Sequence, residues 1–246
     1  MENAQLIALS RQSALRNQLN VVANNMANLN TTGFKSQRML FEEFIMPVAE
    51  ATEFKRQDQD VSFVHDYATS TNLLQGSLKL TGNDLDMAIE GEGWFTIQTE
   101  DGGQAYTRNG SFHLDGRGQL VTSEGRPVLA DGGPIIFSAE DGKIEVAHDG
   151  TIASELGIRG KVSLVSFENP QALVQSGDTM FTGEEPIPVT YVKIMQGALE
   201  ESNVHGIDEV TRLIEITRAY ESVSKLMKES DELRRQAIST LGRLEA

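Results

Sequence analysis

A stretch near the C-terminus carries a helical apolar repeat that neither glycine nor proline interrupts between residues 207 and 241. Apolar residues recur there at steps of three and four positions, which places them on one narrow stripe of a helix. The stripe consists of Leu213, Ile216, Tyr220, Val223 and Met227. At 1.5 Å per residue such a helix is about 50 Å long, which favours a coiled coil or an assembly over an ordinary globular helix. Asn203 or Asp208 is expected to cap its start.

The N-terminal stretch carries a second stripe of the same kind. Its members are Leu15, Leu19, Val22, Met26 and Leu29, and the positions between them are mostly polar. A stripe this narrow is typical of a coiled-coil seam rather than of the wider apolar face of a globular helix. Gly33 follows soon afterwards and suits the left-handed position that ends a helix.

The middle of the chain has a different composition. All six prolines lie between residues 39 and 199, and only Gly33, Gly206 and Gly242 of the glycines lie outside that range. Short apolar runs alternate with turn signals such as Asn109-Gly110 and Asp141-Gly142, which predicts an antiparallel β-domain. The predicted strands are 87–89, 94–97, 118–121, 134–137 and 161–167.

The sequence therefore predicts an α+β fold with four parts. Residues 1–35 and 203–246 form a terminal helical domain whose two helices pair in the manner of a coiled coil. Residues 36–80 form an extended connector, residues 81–195 the central β-domain, and residues 196–202 a return linker. Two single-seamed helices leave a thin core by themselves, so the pattern favours a core shared by many copies in a head-to-tail helical assembly. The helices are expected to be mostly disordered in the free monomer and to fold on assembly.

Composition excludes several classes of function. The chain has a net charge of −15 and no cysteine. The charge disfavours phosphate neutralisation in nucleic-acid binding, and the lack of cysteine excludes disulfides, thiol nucleophiles and Cys-ligated metals. No apolar run reaches the roughly 18–20 residues of a membrane helix, and the N-terminus lacks the pattern of a cleaved signal peptide.

Motifs for catalysis or ligand binding are weak. Gly91-x-Gly93 lacks the remainder of a phosphate-binding loop, and the carboxylates at 84, 86, 90 and 92 do not fit a calcium-binding loop. The four histidines have no paired metal-ligand spacing. We expect no catalytic residue, cofactor or metal. The alternative, a β-rich enzyme that cleaves carbohydrate with two carboxylates, has no specific residue pair to support it.

Three segments resemble one known family. Residues 24–35, Asn-Asn-Met-Ala-Asn-Leu-Asn-Thr-Thr-Gly-Phe-Lys, are similar to the N-terminal signature of bacterial flagellar rod and hook proteins. Residues 81–95 and 106–112 resemble the start of that family's β-domain, and residues 197–204 and 218–221 resemble its C-terminal region. The length is too short for a hook protein with extra outer domains. Residues 9–12 favour the proximal-rod branch of the family over the distal-rod branch.

The resemblance implies a structural role rather than an enzymatic one. It implies that the terminal helices line a tube with the β-domain outside, and that the type III export apparatus secretes the subunits without a cleaved signal peptide. They would then assemble with other rod subunits in the periplasm into the shaft that transmits motor torque. The alternative is a distal-rod protein, or a scaffold or cap for the rod or hook. We expect no contact with nucleic acid and no direct insertion into a membrane.

The resemblance also suggests which residues meet neighbouring subunits. The two stripes are expected to form a shared core, in which the Tyr220 hydroxyl reaches across the interface. The asparagines at the end of the first helix either link backbone groups of neighbouring subunits or simply terminate that helix. The residues at the end of the motif are expected to dock the chain that leaves the first helix onto a neighbouring subunit. The predicted residues of these two groups are Asn24, Asn25, Asn28, Thr32, Gly33, Phe34 and Lys35.

Overall fold

A computed structural model describes residues 2–46, 61–177, 179–189 and 191–244. The chain divides into two compact units. The first, which we call the helical unit, comprises residues 1–26, 37–70 and 205–246, and the second, the β-unit, comprises residues 27–36 and 71–204. Each unit therefore draws on chain segments that are far apart in the sequence.

The helical unit is built from two long helices and two long strands. These elements are α1 (Glu2–Ala27), β1 (Gln37–Met46), β2 (Val61–Thr71) and α2 (Gly206–Leu244). The strands pair with each other in a two-stranded sheet. This pairing lies within the segment for which the sequence predicted an extended connector, so that segment is extended but has its own hydrogen-bonded structure. Part of the predicted connector, residues 47–60, lies outside the described residues.

The helix ends differ from the predicted ones. The first helix stops at Ala27, whereas Gly33 lies six residues further on with φ +69°. This glycine has the left-handed backbone that was predicted, but it does not cap the helix. The second helix begins at Gly206, and the side chain of Asn203 bonds to other backbone groups instead of capping it. Asp208 lies inside the first turn and is not the cap either.

The β-unit contains seventeen short strands within the described residues. They are β3 (Leu78–Leu80), β4 (Met87–Glu90), β5 (Trp94–Gln98), β6 (Gln104–Thr107), β7 (Phe112–Leu114), β8 (Leu120–Thr122), β9 (Leu129–Ala130), β10 (Gly133–Pro134), β11 (Ile144–Val146), β12 (Thr151–Ser154), β13 (Gly157–Lys161), β14 (Leu164–Ser166), β15 (Val174–Gln175), β16 (Met180–Thr182), β17 (Ile187–Pro188), β18 (Lys193–Gln196) and β19 (Ala198–Glu200). The pairings described within this unit are antiparallel, as the turn spacing predicted.

Two of these strands lie wholly outside residues 81–195, the segment predicted as the β-domain. β19 occupies the segment predicted as a return linker and pairs with β3, which lies at the end of the predicted connector. The predicted strand 161–167 is divided instead between β13 and β14. Both β3 and β19 are three residues long, too short for a reliable periodicity, and their pairing partners are distant in sequence.

The largest sheet has six strands in the order β15-β16-β6-β5-β14-β17. Side chains alternate between the two faces of a strand, and those of its central strands β5 and β6 are largely buried on both faces. Phe95 and Ile97 enter the larger core, whereas Trp94 enters a smaller core with Tyr106 and Phe181. The Trp94 and Phe181 rings lie 4.9 Å apart at a tilt of 60°, a favourable geometry for an aromatic pair.

Candidate assembly site

The two predicted apolar stripes lie on the less exposed faces of the two helices. In α2, Ile216 and Val223 are buried, and Leu213, Tyr220 and Met227 are half-buried. In α1, Val22 is buried, and Leu15, Leu19 and Met26 are half-buried. Leu29, the last predicted member of this stripe, lies beyond the end of α1 at Ala27 and is exposed. The side chain of Gln12 donates a hydrogen bond to the Ser224 hydroxyl at 3.0 Å, so the helices contact each other. Coiled-coil packing along the whole stripe stays a prediction.

Both helices also expose apolar side chains outside these stripes. Ile207 is 85% exposed, and several other leucine, isoleucine and valine side chains of the two helices are also exposed. The exposed residues are Leu6, Leu9, Ile207, Val210, Ile214, Leu226, Leu233 and Ile238. One partner helix therefore leaves much of the apolar surface of each helix in water.

Asn25 ties the end of α1 to the start of β1. Its side-chain nitrogen donates to the Gln37 carbonyl at 2.9 Å, and its side-chain oxygen accepts from the Gln37 N–H at 2.9 Å. The amide thus pairs with both polar backbone groups of one residue, as a neighbouring strand would. Asn28 accepts a hydrogen bond from the Thr31 hydroxyl at 3.0 Å and shapes the turn after the helix, and Asn24 is exposed.

Gly33 makes the closest approach of this segment to the rest of the β-unit. Its N–H donates to the Glu200 carbonyl at 2.8 Å. A Cβ atom at this position would lie 2.3 Å from the Asn109 nitrogen, where there is no room for a carbon atom. Beside it, the Thr32 hydroxyl donates to the Asn109 side chain at 2.7 Å. Glycine is therefore required here by both its backbone conformation and the available space.

The next two side chains are fully enclosed by the β-unit of their own chain. Phe34 is 0% exposed and Lys35 is 1% exposed. The Lys35 ammonium donates to Glu200 Oε1 at 2.5 Å and to the Leu74 carbonyl at 2.8 Å. The sequence assigned Phe34 and Lys35 to a contact with a neighbouring subunit, but their side chains are placed inside the same chain. This burial leaves little of either side chain for another molecule to touch.

Glu200 is the centre of a buried cluster of charges. Its Oε1 also accepts from the Gly76 N–H at 2.9 Å, and its Oε2 accepts from Arg108 Nη1 at 3.2 Å. Arg108 also donates to the Gly91 carbonyl at 2.8 Å, and its guanidinium lies 5.4 Å from the centre of the Trp94 ring. Two cations thus share one carboxylate in a site that excludes water.

Burial shifts the titration of both cations. Loss of hydration lowers the pKa of Lys35, while the negative charge of Glu200 and its hydrogen bond act in the opposite direction. Loss of hydration likewise lowers the pKa of Arg108, against the opposing charge and hydrogen bond of Glu200. A single carboxylate compensates only in part for the desolvation of two cations, because the second cation repels the first.

Asn203 completes the docking of this segment. Its side-chain nitrogen donates to the carbonyls of Asn72 and Leu74 at 2.8 and 2.9 Å, and its side-chain oxygen accepts from the Ser36 N–H at 2.7 Å. The Ser36 carbonyl in turn accepts from the Asn72 N–H at 2.8 Å. We call residues 32–36, docked against residues 72–76, 108–109 and 200–203, the clasp.

Several residues of the clasp were missed as functional candidates. Glu200, Arg108 and Asn203 lie within the segments that resemble the flagellar family, but their roles were not predicted. The available signal was a lysine immediately after an apolar docking residue, together with charged residues inside strand-rich segments. Such a pattern indicates a buried ion pair only when the oppositely charged partner is known. The sequence alone does not show which distant residue that partner is.

Metal-ligand chemistry is not apparent in the part of the chain that the structure describes, where no three His, Asp or Glu side chains are placed to hold an ion. Asp86, one of the carboxylates considered for calcium, accepts hydrogen bonds from Thr81 and Asn83 at 2.6 and 3.1 Å. Its carboxylate thus stabilises a local turn. No helix among the described residues has the length and apolar character to cross a membrane.

Three family models match the segments that build the helices, the β-unit and the clasp. Residues 6–35 match the flagella basal body rod protein family, residues 88–154 the D1 domain of flagellar hook protein FlgE/F/G, and residues 195–240 the C-terminal region of flagellar basal body rod FlgEFG proteins. Flagellar basal-body rod protein FlgF of Caulobacter vibrioides is 43% identical over 99% of this chain and 100% of its own length. The chain belongs to the flagellar basal-body rod protein family.

Other relatives in this rod protein family match along almost the whole chain. FlgF of Mesorhizobium japonicum is 36% identical over 98% of this chain and 99% of its own length. FlgG of Buchnera aphidicola subsp. Acyrthosiphon pisum is 33% identical over 87% of this chain and 90% of its own length. The first family match ends at Lys35, the residue whose ammonium group binds Glu200 in the clasp.

Proposed function

We propose that this chain is a structural subunit of the proximal part of the bacterial flagellar basal-body rod. The observation that carries the proposal is the 43% identity to an FlgF rod protein over 99% of the chain. Subunits would pass through the flagellar type III export apparatus and polymerise in the periplasm with copies of themselves and with neighbouring rod proteins. The assembled rod would transmit motor torque to the hook and filament.

The exposed apolar faces of α1 and α2 support polymerisation through the terminal helices. Burial of one leucine or isoleucine side chain contributes roughly 1.5–3 kcal/mol. Eight apolar side chains of the two helices are exposed within the described residues, which amounts to a considerable gain on contact with neighbouring helices. We propose that the two stripes, with Asn24 and Asn28 at the end of α1, contribute to this shared interface.

The clasp suggests a different role for the end of the N-terminal motif. Because Phe34 and Lys35 are buried inside their own β-unit, we propose that they hold the chain that leaves α1 in one defined path. Their effect on assembly would then be indirect, through the position of the residues that precede them. Asn25 acts in the same way, since the nitrogen and the oxygen of its side-chain amide both bind backbone groups of Gln37.

The proposed function can be tested with a truncation that keeps the residues of the clasp. Removal of residues 2–27 deletes α1 and leaves residues 32–36 to fill their pocket in the β-unit. We expect the truncated protein to retain a folded β-unit by circular dichroism but to fail to restore motility and basal bodies in a strain that lacks its own FlgF protein. The full-length chain is the control and should restore both. Normal basal bodies built with the truncated protein would refute assembly through the terminal helices.

A second candidate is the distal rod, because an FlgG protein matches at 33% identity over 87% of this chain. The two candidates differ in which deficient strain the chain complements. We expect restored motility in a strain without FlgF and none in a strain without FlgG. The opposite result would assign the chain to the distal rod and leave its structural role unchanged.

A further inference from the structure

The peptide bond between Asn109 and Gly110 has a chemical reactivity that the proposed function does not use. The two residues lie between β6 and β7 and form the one asparagine–glycine pair in the sequence. Asparagine is a thermally labile residue, because the backbone nitrogen that follows it can attack its side-chain amide. Glycine favours this attack, since it has no Cβ and adopts the widest range of backbone conformations. Asn109 is therefore the asparagine whose amide is lost most readily when the chain is unfolded.

The reaction has two steps and needs no reactant other than water. In the first step the Gly110 nitrogen attacks Cγ of Asn109. A nitrogen–carbon bond forms, the side-chain nitrogen leaves as ammonia together with the proton of the Gly110 nitrogen, and a five-membered succinimide ring closes. In the second step water adds to one of the two ring carbonyls and opens the ring. The product is aspartate, or isoaspartate with a main chain that is one carbon longer.

Hydrogen bonds of the clasp restrain the side chain that would react. Asn109 Oδ1 accepts from the Thr32 hydroxyl at 2.7 Å and from the Ser111 N–H at 3.1 Å. The Asn109 N–H donates to the Thr107 hydroxyl at 3.0 Å, and Asn109 as a whole is buried. Ring closure requires Cγ to move onto the Gly110 nitrogen and become tetrahedral. That movement displaces Oδ1 from both of its donors, so the folded β-unit opposes the first step.

The attacking residue is also held in place. The Gly110 carbonyl accepts from the Met87 N–H at 3.0 Å, and a Cβ atom at Gly110 would lie 1.6 Å from the Met87 carbonyl oxygen. The two backbones are therefore in direct contact. Gly33 of the clasp packs similarly closely against the Asn109 backbone. Neither reacting residue can turn toward the other unless these close contacts separate.

We propose that the clasp prevents cyclisation at Asn109, and that a chain whose clasp is open loses this amide irreversibly. Thr32 makes the connection, because its hydroxyl binds the side chain that reacts. Isoaspartate at this position adds a carbon to the main chain beside Gly110, where the contact with Met87 leaves no room for it. The site thus limits how long a chain can stay unfolded and still close its clasp. This proposal goes beyond the rod function and holds or fails whether or not the chain builds a rod.

Substitutions at position 32 test the role of the hydroxyl. Thr32→Val removes the hydroxyl and keeps the shape of the side chain, whereas Thr32→Ser keeps the hydroxyl. Thr31→Val is the matched control, since the Thr31 hydroxyl donates to Asn28. The full-length proteins are incubated in native buffer at mildly alkaline pH, and peptide mapping by mass spectrometry measures loss of the Asn109 amide. We expect Thr32→Val to lose it about ten-fold faster than the unchanged chain, and Thr32→Ser and Thr31→Val to lose it at the unchanged rate.

Two comparisons separate the clasp from the overall stability of the β-unit. The unchanged chain in guanidinium chloride gives the unprotected rate, which should exceed the native rate on the order of a hundred-fold. Ile152→Val shortens a fully buried side chain outside the clasp. Urea is added until Ile152→Val and Thr32→Val have the same free energy of unfolding. Thr32→Val should still deamidate several times faster, because its clasp opens without the rest of the unit.

Three results would overturn the proposal. Equal rates in the native and the unfolded unchanged chain would show that the clasp gives no protection. Equal rates in Thr32→Val and the unchanged chain would show that the Thr32 hydroxyl does not restrain Asn109. Equal rates in Thr32→Val and Ile152→Val at matched stability would assign the protection to overall folding.

A second measurement needs no variant. The unchanged chain is held in guanidinium chloride until part of it has lost the Asn109 amide, and it is then refolded by dilution. Size-exclusion chromatography separates the folded monomer from the misfolded material, and peptide mapping locates the isoaspartate. We expect isoaspartate at position 109 to be depleted from the folded monomer and enriched in the misfolded material. Equal shares in the two fractions would refute the limit on folding.

Discussion

The ammonium group of Lys35 lies 2.5 Å from the carboxylate of Glu200, although 165 positions separate the two residues in the chain. This contact joins the end of the N-terminal motif to the last strand of the β-unit. Both side chains are almost completely buried. The β-unit therefore draws two segments far apart in the sequence into one buried ion pair.

Glu200→Gln is expected to destabilise the β-unit more than Lys35→Met does. The first change leaves two buried cations without a counter-charge, which costs about 3–5 kcal/mol. The second leaves Glu200 paired with Arg108 and is expected to cost about 1–3 kcal/mol. Urea unfolding followed by Trp94 fluorescence measures both. Glu201→Gln is the control, since Glu201 forms only an exposed pair with Lys79. An equal loss in the two variants would contradict the charge balance described for the clasp.

The stability of the β-unit should depend on pH through Lys35. Burial lowers the pKa of Lys35 in the folded state below its ordinary value of 10.5. Between the folded pKa and 10.5, the unfolded chain binds more protons, so stability rises with pH in that window and is lost as pH falls through the folded pKa. The difference in unfolding free energy between the unchanged chain and Lys35→Met should therefore shift in favour of the unchanged chain as pH rises towards 10.5. A shift in the other direction would show that the ion pair outweighs desolvation.

Gly33→Ala should destabilise the clasp by about 2–4 kcal/mol, because the left-handed backbone is strained for alanine and the added methyl group meets backbone atoms. Thermal unfolding measures the loss. Gly116→Ala is the matched control, since no atom lies within 4 Å of the added carbon there. The control should change stability by less than about 1 kcal/mol. A neutral effect of Gly33→Ala would mean that the segment leaves its pocket in solution.

Amide hydrogen exchange on the dilute monomer should proceed at different rates in the two units. We expect slow exchange in β4, β5 and β6, whose side chains are largely buried. Fast exchange is expected in α1 and α2, because each helix buries only a narrow stripe and helices in proteins owe most of their stability to tertiary packing. Slow exchange in both helices at low concentration would show that contacts within one copy suffice to hold them.

Asp141→Asn should loosen the turn between β12 and β13. Burial opposes ionisation of Asp141, but hydrogen bonds from Ser154, Ser138 and Arg159 prevail and lower its pKa from 3.8 to about 2. Its contribution to stability is therefore present above pH 3.8 and is lost as pH falls through about 2. Amide exchange of residues 154–159 should be faster in the variant at neutral pH and differ less at pH 2. Asp149→Asn, which replaces the Oδ2 acceptor of the Thr151 hydroxyl, is the control and should leave this turn unchanged.

Local pattern was sufficient for the two helices and for a few strands of the β-unit. The repeat of Leu213, Ile216 and Val223 follows the period of a helix, and the same residues lie on the less exposed face of α2. Strands such as β4 and β5 were predicted at nearly their observed positions from apolar runs between turns. Such patterns depend only on neighbours within a few residues, so a single sequence reveals them.

The amino-acid sequence by itself determined the helical ends, the β-rich middle and, through residues 24–35, the family resemblance. Only the tertiary structure decided that Gly33 approaches Asn109, that Phe34 and Lys35 turn inward, and that Glu200 joins two cations. The physical reason is that these contacts join positions far apart in the chain. Their energies come from burial and from the exclusion of water, which depend on the surrounding fold and are not encoded in any local stretch of residues.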